Sequence, residues 1–373
     1  MKSKVAIVQC IDYDKEKVFQ AVHQALKYFG GIEAMVHSGQ NVLLKPNMLS
    51  AKAPEKGITT HPVVLEAMVK EVQSIGANVW IGDSPAGTIK GIKRYWEKTG
   101  FFDVAERTGA KLINFEADGS IDKQIEDRVY HIAKAVRDAD VVINLPKFKT
   151  HGFALYTGAI KNLYGTLPGF QKACFHKTHP HPGNFSNIIV DLYAIIKPVF
   201  HLMDGIIGME GNGPSTGDLR QVGLILAAQD GVALDTIAST IMGFQDDEID
   251  AIRIAGERQL GMAKSQQIEI MGSSLDDVSI PDFNLPSNHL MKLVPEFLVK
   301  WVGKFLWVRP YTNYELCTHC KVCAEGCPVE AIQMVNGYPV MDYKKCINCM
   351  CCNESCPSNA IVQRLSWLAK KIG

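Results

Sequence analysis

Cysteine is the residue type in this chain whose number and spacing predict chemistry most directly. Nine of the eleven cysteines lie between Cys317 and Cys356, and only Cys10 and Cys174 lie elsewhere. Eight of the nine form two runs of equal spacing, each closed by a Cys-Pro pair: Cys317-x2-Cys320-x2-Cys323-x3-Cys327-Pro328 and Cys346-x2-Cys349-x2-Cys352-x3-Cys356-Pro357. Thiolates at this spacing are typical ligands of [4Fe-4S] clusters.

The spacing also predicts how the eight thiols are shared between two clusters. Three cysteines in a tight turn can reach three corners of one cube, whereas the fourth lies beyond the turn and reaches the other cube. We therefore expect two [4Fe-4S] clusters, and Cys351 beside Cys352 is expected to be a bystander. The predicted ligands are Cys317, Cys320, Cys323 and Cys356 for the first cluster, and Cys346, Cys349, Cys352 and Cys327 for the second.

A zinc site and a disulfide scaffold are the alternatives for such a cysteine-rich segment. Zinc sites usually use paired Cys-x2-Cys groups, with no third evenly spaced thiol. The first residues do not read as a signal peptide, because their apolar run is interrupted by Gln9 and ended by Asp12. We therefore expect a cytoplasmic protein, in which clustered cysteines bind metal more often than they form disulfides.

Charge and hydropathy exclude other classes of function. The 373 residues carry 39 Lys and Arg against 39 Asp and Glu, so there is no chain-wide basic excess for nucleic acid, and none is expected as a partner. No stretch of about 18 uncharged apolar residues exists, so no membrane-spanning helix is expected. Residues 311–360 hold five acids and three lysines, a mildly acidic balance that suits a basic redox partner.

The elements that precede the cysteines predict an α/β domain. Continuous apolar strands alternate with amphipathic helices, which indicates a mostly parallel sheet covered by helices on both faces. The predicted strands are residues 4–10, 41–47, 78–82, 111–115, 141–145 and 222–228, and the clearest helices are 15–29 and 62–76. The predicted domains are 1–285 for the α/β domain, 286–310 for an amphipathic connector, 311–361 for the cysteine module and 362–373 for a tail.

The connector has an apolar face that must be covered. Lys292, Glu296, Lys300 and Lys304 recur every four residues and so share one helical face, while apolar residues fill the rest. We expect this face to pack between the two domains. The alternative is peripheral contact with a membrane surface, which is compatible with lysines on the polar face but is not favoured.

Polar residues follow several of the predicted strands, at the edge where parallel sheets bind ligands. Lys45, Lys147, Lys149 and Lys161 would together bind an anionic ligand such as a carboxylate or phosphate, although each lysine alone could simply be solvated. The candidate catalytic residues are Lys147, Lys149 and His151, with His151 supplying a proton near neutral pH. The candidate substrate-binding residues are Lys45, Asn47, Asp83, Lys161, Asn162 and Asp204.

Three other features remain open to more than one interpretation. Asp83 and Asp204 could orient a lysine or bind a metal, although a turn or helix cap is an equal alternative for them. The cluster of His176, His179 and His181 suggests a metal, but a loop that covers a site is favoured. The glycine-rich run 208–217 is neither a Walker loop nor a dinucleotide fingerprint, and no residue set indicates a flavin or nicotinamide cofactor.

Two family resemblances follow from these residues. The segment around the eight cysteines resembles the bacterial-type two-cluster ferredoxin domain, which implies a compact α+β module that passes single electrons. The first 245 residues resemble the family called domain of unknown function 362, which implies an α/β fold and names no substrate. The stretches that carry the second resemblance are LLKPN (43–47), GITTHP (57–62), GDSP (82–85), NLPKFKTH (144–151), GAIKN (158–162), MDG (203–205) and GNGP (211–214).

The sequence supports three functional hypotheses. The first is an iron–sulfur oxidoreductase that passes electrons through two clusters to an anionic small molecule, which is reduced in the α/β domain. The second is a non-enzymatic electron carrier or adaptor that docks to a redox complex. The third is that the α/β domain binds its own metal or cofactor. The expected redox partner is a ferredoxin, a flavodoxin or an oxidoreductase complex. Substrate, electron donor and oligomeric state do not follow from the sequence.

Overall fold

A computed structural model describes residues 2–85, 91–287 and 307–367 of the chain. Most of the predicted connector and the end of the predicted tail lie outside these residues. The strands are β1 (Lys4–Gln9), β2 (Asn41–Pro46), β3 (Asn78–Gly82), β4 (Lys111–Ile113), β5 (Ser120–Ile125), β6 (Arg128–Ala133), β7 (Val141–Leu145), β8 (Lys147–His151), β9 (Leu155–Thr157), β10 (Phe200–Glu210), β11 (Asp218–Ala228), β12 (Glu269–Gly272), β13 (Val308–Thr312), β14 (Ile332–Val335), β15 (Tyr338–Met341) and β16 (Ile361–Leu365).

Helices connect these strands. They are α1 (Lys15–Lys27), α2 (Pro62–Ser74), α3 (Ile92–Thr99), α4 (Phe101–Thr108), α5 (Lys134–Asp138), α6 (Ala159–Asn162), α7 (Gln171–Thr178), α8 (Pro182–Ile196), α9 (Gly231–Met242), α10 (Asp250–Glu257), α11 (Leu275–Val278), α12 (Val322–Glu325) and α13 (Cys351–Glu354). Short 3₁₀ segments occur at Ile32–Ala34, Pro54–Lys56, Leu163–Thr166 and Ser265–Gln267.

The α/β domain is built on one ten-stranded mixed sheet. Its main path has the order β12-β1-β11-β10-β7-β2-β3-β4, and β8 and β9 join beside β10. The pairs β2/β3, β2/β7, β3/β4, β10/β7, β10/β8 and β1/β12 are parallel, whereas β11 runs antiparallel to both of its neighbours. The prediction of a mostly parallel sheet covered by helices is confirmed.

The sheet separates two large apolar cores. One core contains α6, α8 and α9 residues such as Ile188 and Ile237, and the other contains α1 and α2 residues such as Val22 and Leu65. The central strands β2 and β7 are apolar along most of their length because both of their faces are covered. Helix α1 begins where the Asp14 side chain accepts a hydrogen bond from the Lys17 backbone N–H.

Residues 147–151, part of the polar segment that follows the predicted strand 141–145, form the buried strand β8. Every residue of β8 is buried, and the strand pairs with β10 on one side and β9 on the other. Two lysines and a histidine make this segment look like a polar loop, since lysine is almost never fully buried unless it is paired. The strand is possible because Lys147 and Lys149 find partners elsewhere in the chain.

The cysteine module is a small pseudo-symmetric unit. Two antiparallel pairs, β13/β16 and β14/β15, frame the short helices α12 and α13, each of which begins beside the third cysteine of its run. Its core consists of Cys323, Cys352, Cys356, Ile332 and Ile361 with Ala360. The expectation of a small α+β module is therefore met. Within the described residues, no helix is long and apolar enough to cross a membrane.

Candidate functional site

The four thiols predicted to hold the second cluster line one cavity in the cysteine module. Cys327, Cys346, Cys349 and Cys352 share its wall with apolar residues that include Ile332 and Ile347. Cys327 belongs to the first run of the sequence, so the structure brings together the crossed set that the spacing predicts. Four thiols in an apolar enclosure are a donor set that fits a [4Fe-4S] cluster.

The other four thiols form a second group. Cys323 and Cys356 lie in the core of the module with Cys317 packed against it, whereas Cys320 is exposed. Burial, together with the neighbouring Cys356 and Cys320, raises the pKa of Cys323 to about 12. Iron must therefore displace a proton from this thiol, so binding of the cluster releases protons.

In both runs, the sulfur of the fourth cysteine accepts a hydrogen bond from the backbone N–H four residues later. The Ala331 N–H donates to Cys327 Sγ at 3.2 Å, and the Ala360 N–H donates to Cys356 Sγ at 3.2 Å. Hydrogen bonds to cluster sulfurs stabilise negative charge there and are one of the means by which a protein sets a reduction potential. The two halves of the module thus repeat this contact as well as the cysteine spacing.

A second cavity lies where the cysteine module meets the α/β domain. It contains roughly 660 Å³ of empty space, part of which is open to solvent. Its wall consists of Lys45, Asn47, Met48, Leu49, Asp83, Ser84, Pro85, Lys149, His151, Thr157, Lys161, Asn162, Tyr164, Gly165, Lys172, His176 and Pro214 from the α/β domain, and Cys349, Cys351 and Glu354 from the cysteine module.

At the end of β2, Lys45 is held by a buried carboxylate. Its Nζ lies 2.8 Å from Asp83 Oδ1 and also donates to the Pro46 carbonyl and to Asn162 Oδ1. Burial lowers the pKa of Lys45, and Asp83 opposes that shift. Asp83 also accepts a hydrogen bond from the Met48 N–H at 2.6 Å, so it both orients the lysine and fixes the loop after β2.

Lys149 also reaches the cavity, but protein atoms occupy part of its hydrogen-bonding capacity. Its Nζ donates to Asn47 Oδ1 at 2.8 Å and to the Ile58 carbonyl at 2.7 Å. Burial lowers the pKa of Lys149 well below its usual value, and the positive charge of Lys161 adds to that effect. These two acceptors use both N–H bonds of a neutral amine, or two of the three of an ammonium.

Lys161 and Glu354 face this cavity from its two sides. Neither side chain has a hydrogen-bond or ion-pair partner among the described residues. Burial lowers the pKa of Lys161 to about 8, and Glu354 opposes that shift. Burial raises the pKa of Glu354, while Lys161, Lys149, Lys172 and Lys52 favour its charged form. A cation of the α/β domain and a carboxylate of the cysteine module thus share one cavity.

The two histidines in the wall are neutral. His151 Nδ1 accepts hydrogen bonds from the Phe153 and Ala154 backbone N–H groups, which places the ring proton on Nε2. Burial lowers the pKa of His151 well below its usual value, and the pKa of His176 falls to about 3. His151 is therefore a neutral hydrogen-bond donor at pH 7, whereas the predicted role near neutral pH needs an imidazolium. His176 stacks on Phe185, with ring centroids 4.4 Å apart.

Lys147 and Asp204, two of the predicted site residues, lie outside this cavity wall. Lys147 Nζ contacts Asp204 Oδ2 at 2.7 Å and the Tyr13 hydroxyl at 2.8 Å. Tyr13 in turn donates to Asp204 Oδ1 and stacks on His61. Asp204 thus pairs with a lysine, but this network is internally satisfied and buried. The expected convergence of four lysines is wrong for Lys147, while Lys45, Lys149 and Lys161 do converge.

Sequence reasoning missed a fourth lysine in the wall. Lys172, on α7, donates to the Ser84 and Pro85 carbonyls and to the Ser84 hydroxyl, and burial lowers its pKa to about 8. Lys172 belongs to neither a predicted strand-end loop nor a recognised motif, so no local sequence signal marked it as a site residue. Glu354 was also missed as a site residue, although it ends the short helix beside Cys352.

The three clustered histidines do not converge on a common point. His176 lies in the cavity wall, whereas His181 caps α8 by accepting a hydrogen bond from the Gly183 N–H and His179 contacts the Thr178 hydroxyl. Across the described ranges, no three His, Cys, Asp or Glu side chains are placed to hold a single metal ion. A metal site of the α/β domain's own therefore has no geometric support in the described residues.

Two family models match separate parts of the chain. The family model described as "Domain of unknown function (DUF362)" matches residues 42–240. The chain belongs to this family. A second model, "4Fe-4S dicluster domain", matches residues 309–357 of the DUF362 protein, so the cysteine module is an iron–sulfur domain with an electron-transfer role. Both predicted resemblances are confirmed.

One curated relative covers most of this DUF362 protein. It is the "Thylakoid-associated protein sll1697" of Synechocystis sp., which is 31% identical over 322 residues, or 83% of this chain and 98% of the relative.

Two solved structures show weaker similarity to the DUF362 protein. One is the lactate racemase apoprotein from Thermoanaerobacterium thermosaccharolyticum, with a TM-score of 0.41 and 13% identity over 65% of this chain and 57% of that chain. The other is a structural-genomics target from Thermotoga maritima, with a TM-score of 0.36 and 11% identity over 67% of this chain and 60% of that chain. The chain thus spans about six tenths of the length of each.

Proposed function

We propose that this chain is an iron–sulfur oxidoreductase that reduces a small anionic molecule in the cavity between its two parts. Two [4Fe-4S] clusters would supply the electrons, held by the two groups of thiols described above. One observation carries the proposal: Cys349 lines both the thiol cavity of the module and the lysine-lined cavity beside it. A molecule bound among the lysines would therefore contact a residue that ligates a cluster.

The position of Cys349 gives the two clusters different roles. The proximal cluster is the one held by Cys327, Cys346, Cys349 and Cys352, and no ligand of the other, distal cluster belongs to the cavity wall. Cys320, a ligand of the distal cluster, is exposed, so a redox partner can approach there. Electrons would pass from a ferredoxin, a flavodoxin or an oxidoreductase complex to the distal cluster, then to the proximal cluster and the bound molecule.

The protein side chains would bind and orient the molecule while the clusters supply electrons. Lys161 would hold its anionic group, because it lines the cavity and its amine has no hydrogen-bond partner among the described residues. The Nε2–H of His151 would donate to a neutral oxygen or nitrogen of the same molecule. Lys161 is the best source of a proton at neutral pH, since its pKa lies near 8.

Reoxidation of the reduced clusters tests this function. The anaerobically reduced protein would be mixed with anionic organic oxidants, and cluster absorbance would be followed over time. We expect an effective oxidant to lose at least tenfold of its rate in Lys161→Met and to keep it in Lys177→Met, because Lys177 is exposed on α7. If Lys161→Met reoxidises at the wild-type rate, the cavity is not the reaction site. If only a partner protein reoxidises the clusters, the alternative of an electron carrier or adaptor is correct.

The cellular compartment is a separate part of the proposal. A cytoplasmic location is the prediction from sequence, whereas the Synechocystis relative is named as thylakoid-associated. We propose that the protein is cytoplasmic. Sedimentation of the protein with anionic lipid vesicles at low salt would instead place it at the cytoplasmic face of a membrane. Full recovery in the supernatant would leave the cytoplasmic prediction in place.

A further inference from the structure

The two halves of the cysteine module place a glutamate at the same position with different surroundings. Glu325 ends α12 two residues after Cys323, and Glu354 ends α13 two residues after Cys352. Glu325 is exposed, whereas Glu354 belongs to the wall of the lysine-lined cavity. The repeat itself therefore does not require a carboxylate in the cavity, and what distinguishes Glu354 is the α/β domain that faces it.

Some charged groups of the cavity wall already form hydrogen bonds with the protein, and others do not. Lys45, Lys149 and Lys172 each donate to two or more protein acceptors, as described above. Within the described part of the chain, no hydrogen bond or ion pair engages Lys161 Nζ or the Glu354 carboxylate. Thr157, a residue only 2% exposed, lines the same cavity, and its buried hydroxyl also has no partner among the described residues.

Lys161 and Glu354 have opposite charges and no hydrogen-bond partner among the described residues, and together they restrict which ligands the cavity can bind. Lys161 favours one negative charge in the ligand. Glu354 repels a second negative charge, and burial strengthens that repulsion because the local dielectric constant is lower than in water. An ionised carboxylate accepts hydrogen bonds only, so the ligand group beside Glu354 must be a donor.

We propose that Glu354 is a specificity-determining residue, which selects a ligand with a single anionic group that also carries a hydroxyl or ammonium group, and rejects dianions. The anionic group would lie against Lys161 and the donor group against Glu354. This inference rests on the proposed function, since it assumes that the cavity binds the molecule that is reduced. It adds the charge and the hydrogen-bonding class of that molecule.

A series of small probes tests the selection directly. Glycolate, glycine, acetate and oxalate would be titrated into the full-length, cluster-loaded protein under anaerobic conditions, and binding would be followed by calorimetry. Glycolate is a monoanion with a hydroxyl donor, glycine is a zwitterion with an ammonium donor, acetate lacks a donor, and oxalate is a dianion. We expect either glycolate or glycine to bind at least tenfold more tightly than acetate and oxalate.

The variants Glu354→Gln and Glu325→Gln complete the test. Glu354→Gln removes the charge while keeping the shape, so oxalate should gain at least tenfold in affinity; Glu325→Gln, at the equivalent exposed position, should behave as wild type. Oxalate binding to the wild type at least as tightly as glycolate and glycine would overturn the inference even if Glu354→Gln failed to retain clusters. If oxalate is rejected by both the wild type and Glu354→Gln, another group sets the selectivity. Absence of binding by every probe would contradict the proposed function as well.

Discussion

At the scale of single residues, the chemistry of the cavity depends on which charged groups the protein has left without a partner. Lys45 and Lys147 resemble each other in burial and in having one aspartate partner, yet one lies in the cavity wall and the other does not. Lys161 differs from both because no described residue neutralises it at contact distance. We therefore assign the binding of the anionic group to Lys161 before any other lysine.

The titration of Lys161 predicts how anion binding depends on pH. Burial lowers its pKa to about 8, so the charged form that attracts an anion is present below that pH and is lost above it. We expect the affinity for a monoanionic probe to be flat at lower pH and to fall by up to about tenfold per pH unit above about pH 8. Lys161→Met should be weak at every pH.

Several charged or titratable groups surround Lys161, and they define the control for this prediction. Glu354 faces it from α13, Lys45 from β2, and its charge is felt by Lys149 and His151 on β8 and by His176 on α7. Lys177→Met should retain the wild-type pH profile. A profile that stays the same in Lys161→Met would assign the titration to one of the neighbouring groups.

Lys147 gives a prediction of the opposite kind, for stability and not for binding. Lys147→Met would leave Asp204 as a buried, uncompensated carboxylate, and breaking such a pair typically costs about 3–5 kcal/mol in the free energy of unfolding. Chemical denaturation should show this loss, while probe affinity stays within about twofold. The double variant Lys147→Met/Asp204→Leu should recover part of the stability. A stable Lys147→Met protein that no longer binds probe would restore Lys147 to the binding site.

At the scale of elements, the cavity is formed by strand ends and by the turns that close on them. The sequence predicted β3 and β7 residue for residue, because both are short apolar runs with clear boundaries. It could not predict β8, since the partners that allow Lys147 and Lys149 to be buried, Asp204 and Asn47, lie 57 and 102 residues away. Local hydropathy describes the chain within a few residues, whereas the burial of a charge depends on such distant contacts.

The turn at Gly165 supplies a test of that element. A Cβ at Gly165 would lie 2.0 Å from Asp83 Oδ1 and 2.8 Å from Lys45 Nζ, closer than Cβ contacts occur, so Gly165→Ala must displace the Lys45–Asp83 pair. We expect the affinity for anionic probes to fall at least tenfold, with cluster content unchanged. Gly183→Ala is the matched control, since its Cβ would meet nothing closer than 3.4 Å. Wild-type affinity in Gly165→Ala would show that the ligand does not use this pair.

At the scale of the whole molecule, the cysteine module forms one wall of the lysine-lined cavity. Lys52 Nζ donates to Asn359 Oδ1 at 2.8 Å across the junction, and Glu354, Cys349 and Cys351 complete the cavity. The cysteine spacing alone predicted the ligand sets, because cluster ligation is a local property of the sequence. The junction could not be predicted from spacing, since nothing in either part specifies which face of the module meets the lysines.

In the proposed function, an anion bound in this cavity would lie close to the proximal cluster, so the two would influence each other. Reduction adds one negative charge to a cluster, so an anion nearby makes reduction less favourable. Two unit charges roughly 10 Å apart in an effective dielectric of about 20 interact by about 1.7 kcal/mol, which corresponds to about 70 mV for one electron. By linkage, reduction weakens anion binding by the same factor.

We therefore expect a saturating monoanionic probe to lower the midpoint potential of the proximal cluster by several tens of millivolts. The distal cluster should shift less, because none of its ligands lies in the cavity wall. A redox titration monitored by electron paramagnetic resonance can follow both clusters in one sample, and Lys161→Met should abolish the shift while Lys177→Met retains it. Equal shifts in the midpoint potentials of both clusters would indicate a general salt effect. If the probe binds and neither midpoint potential changes, the cavity does not lie on the path of electron transfer. A change in midpoint potential that is confined to the proximal cluster would mean that its reduction also lowers the affinity of the cavity for an anion. The physical reason is that the reduced cluster repels the anionic group that Lys161 attracts.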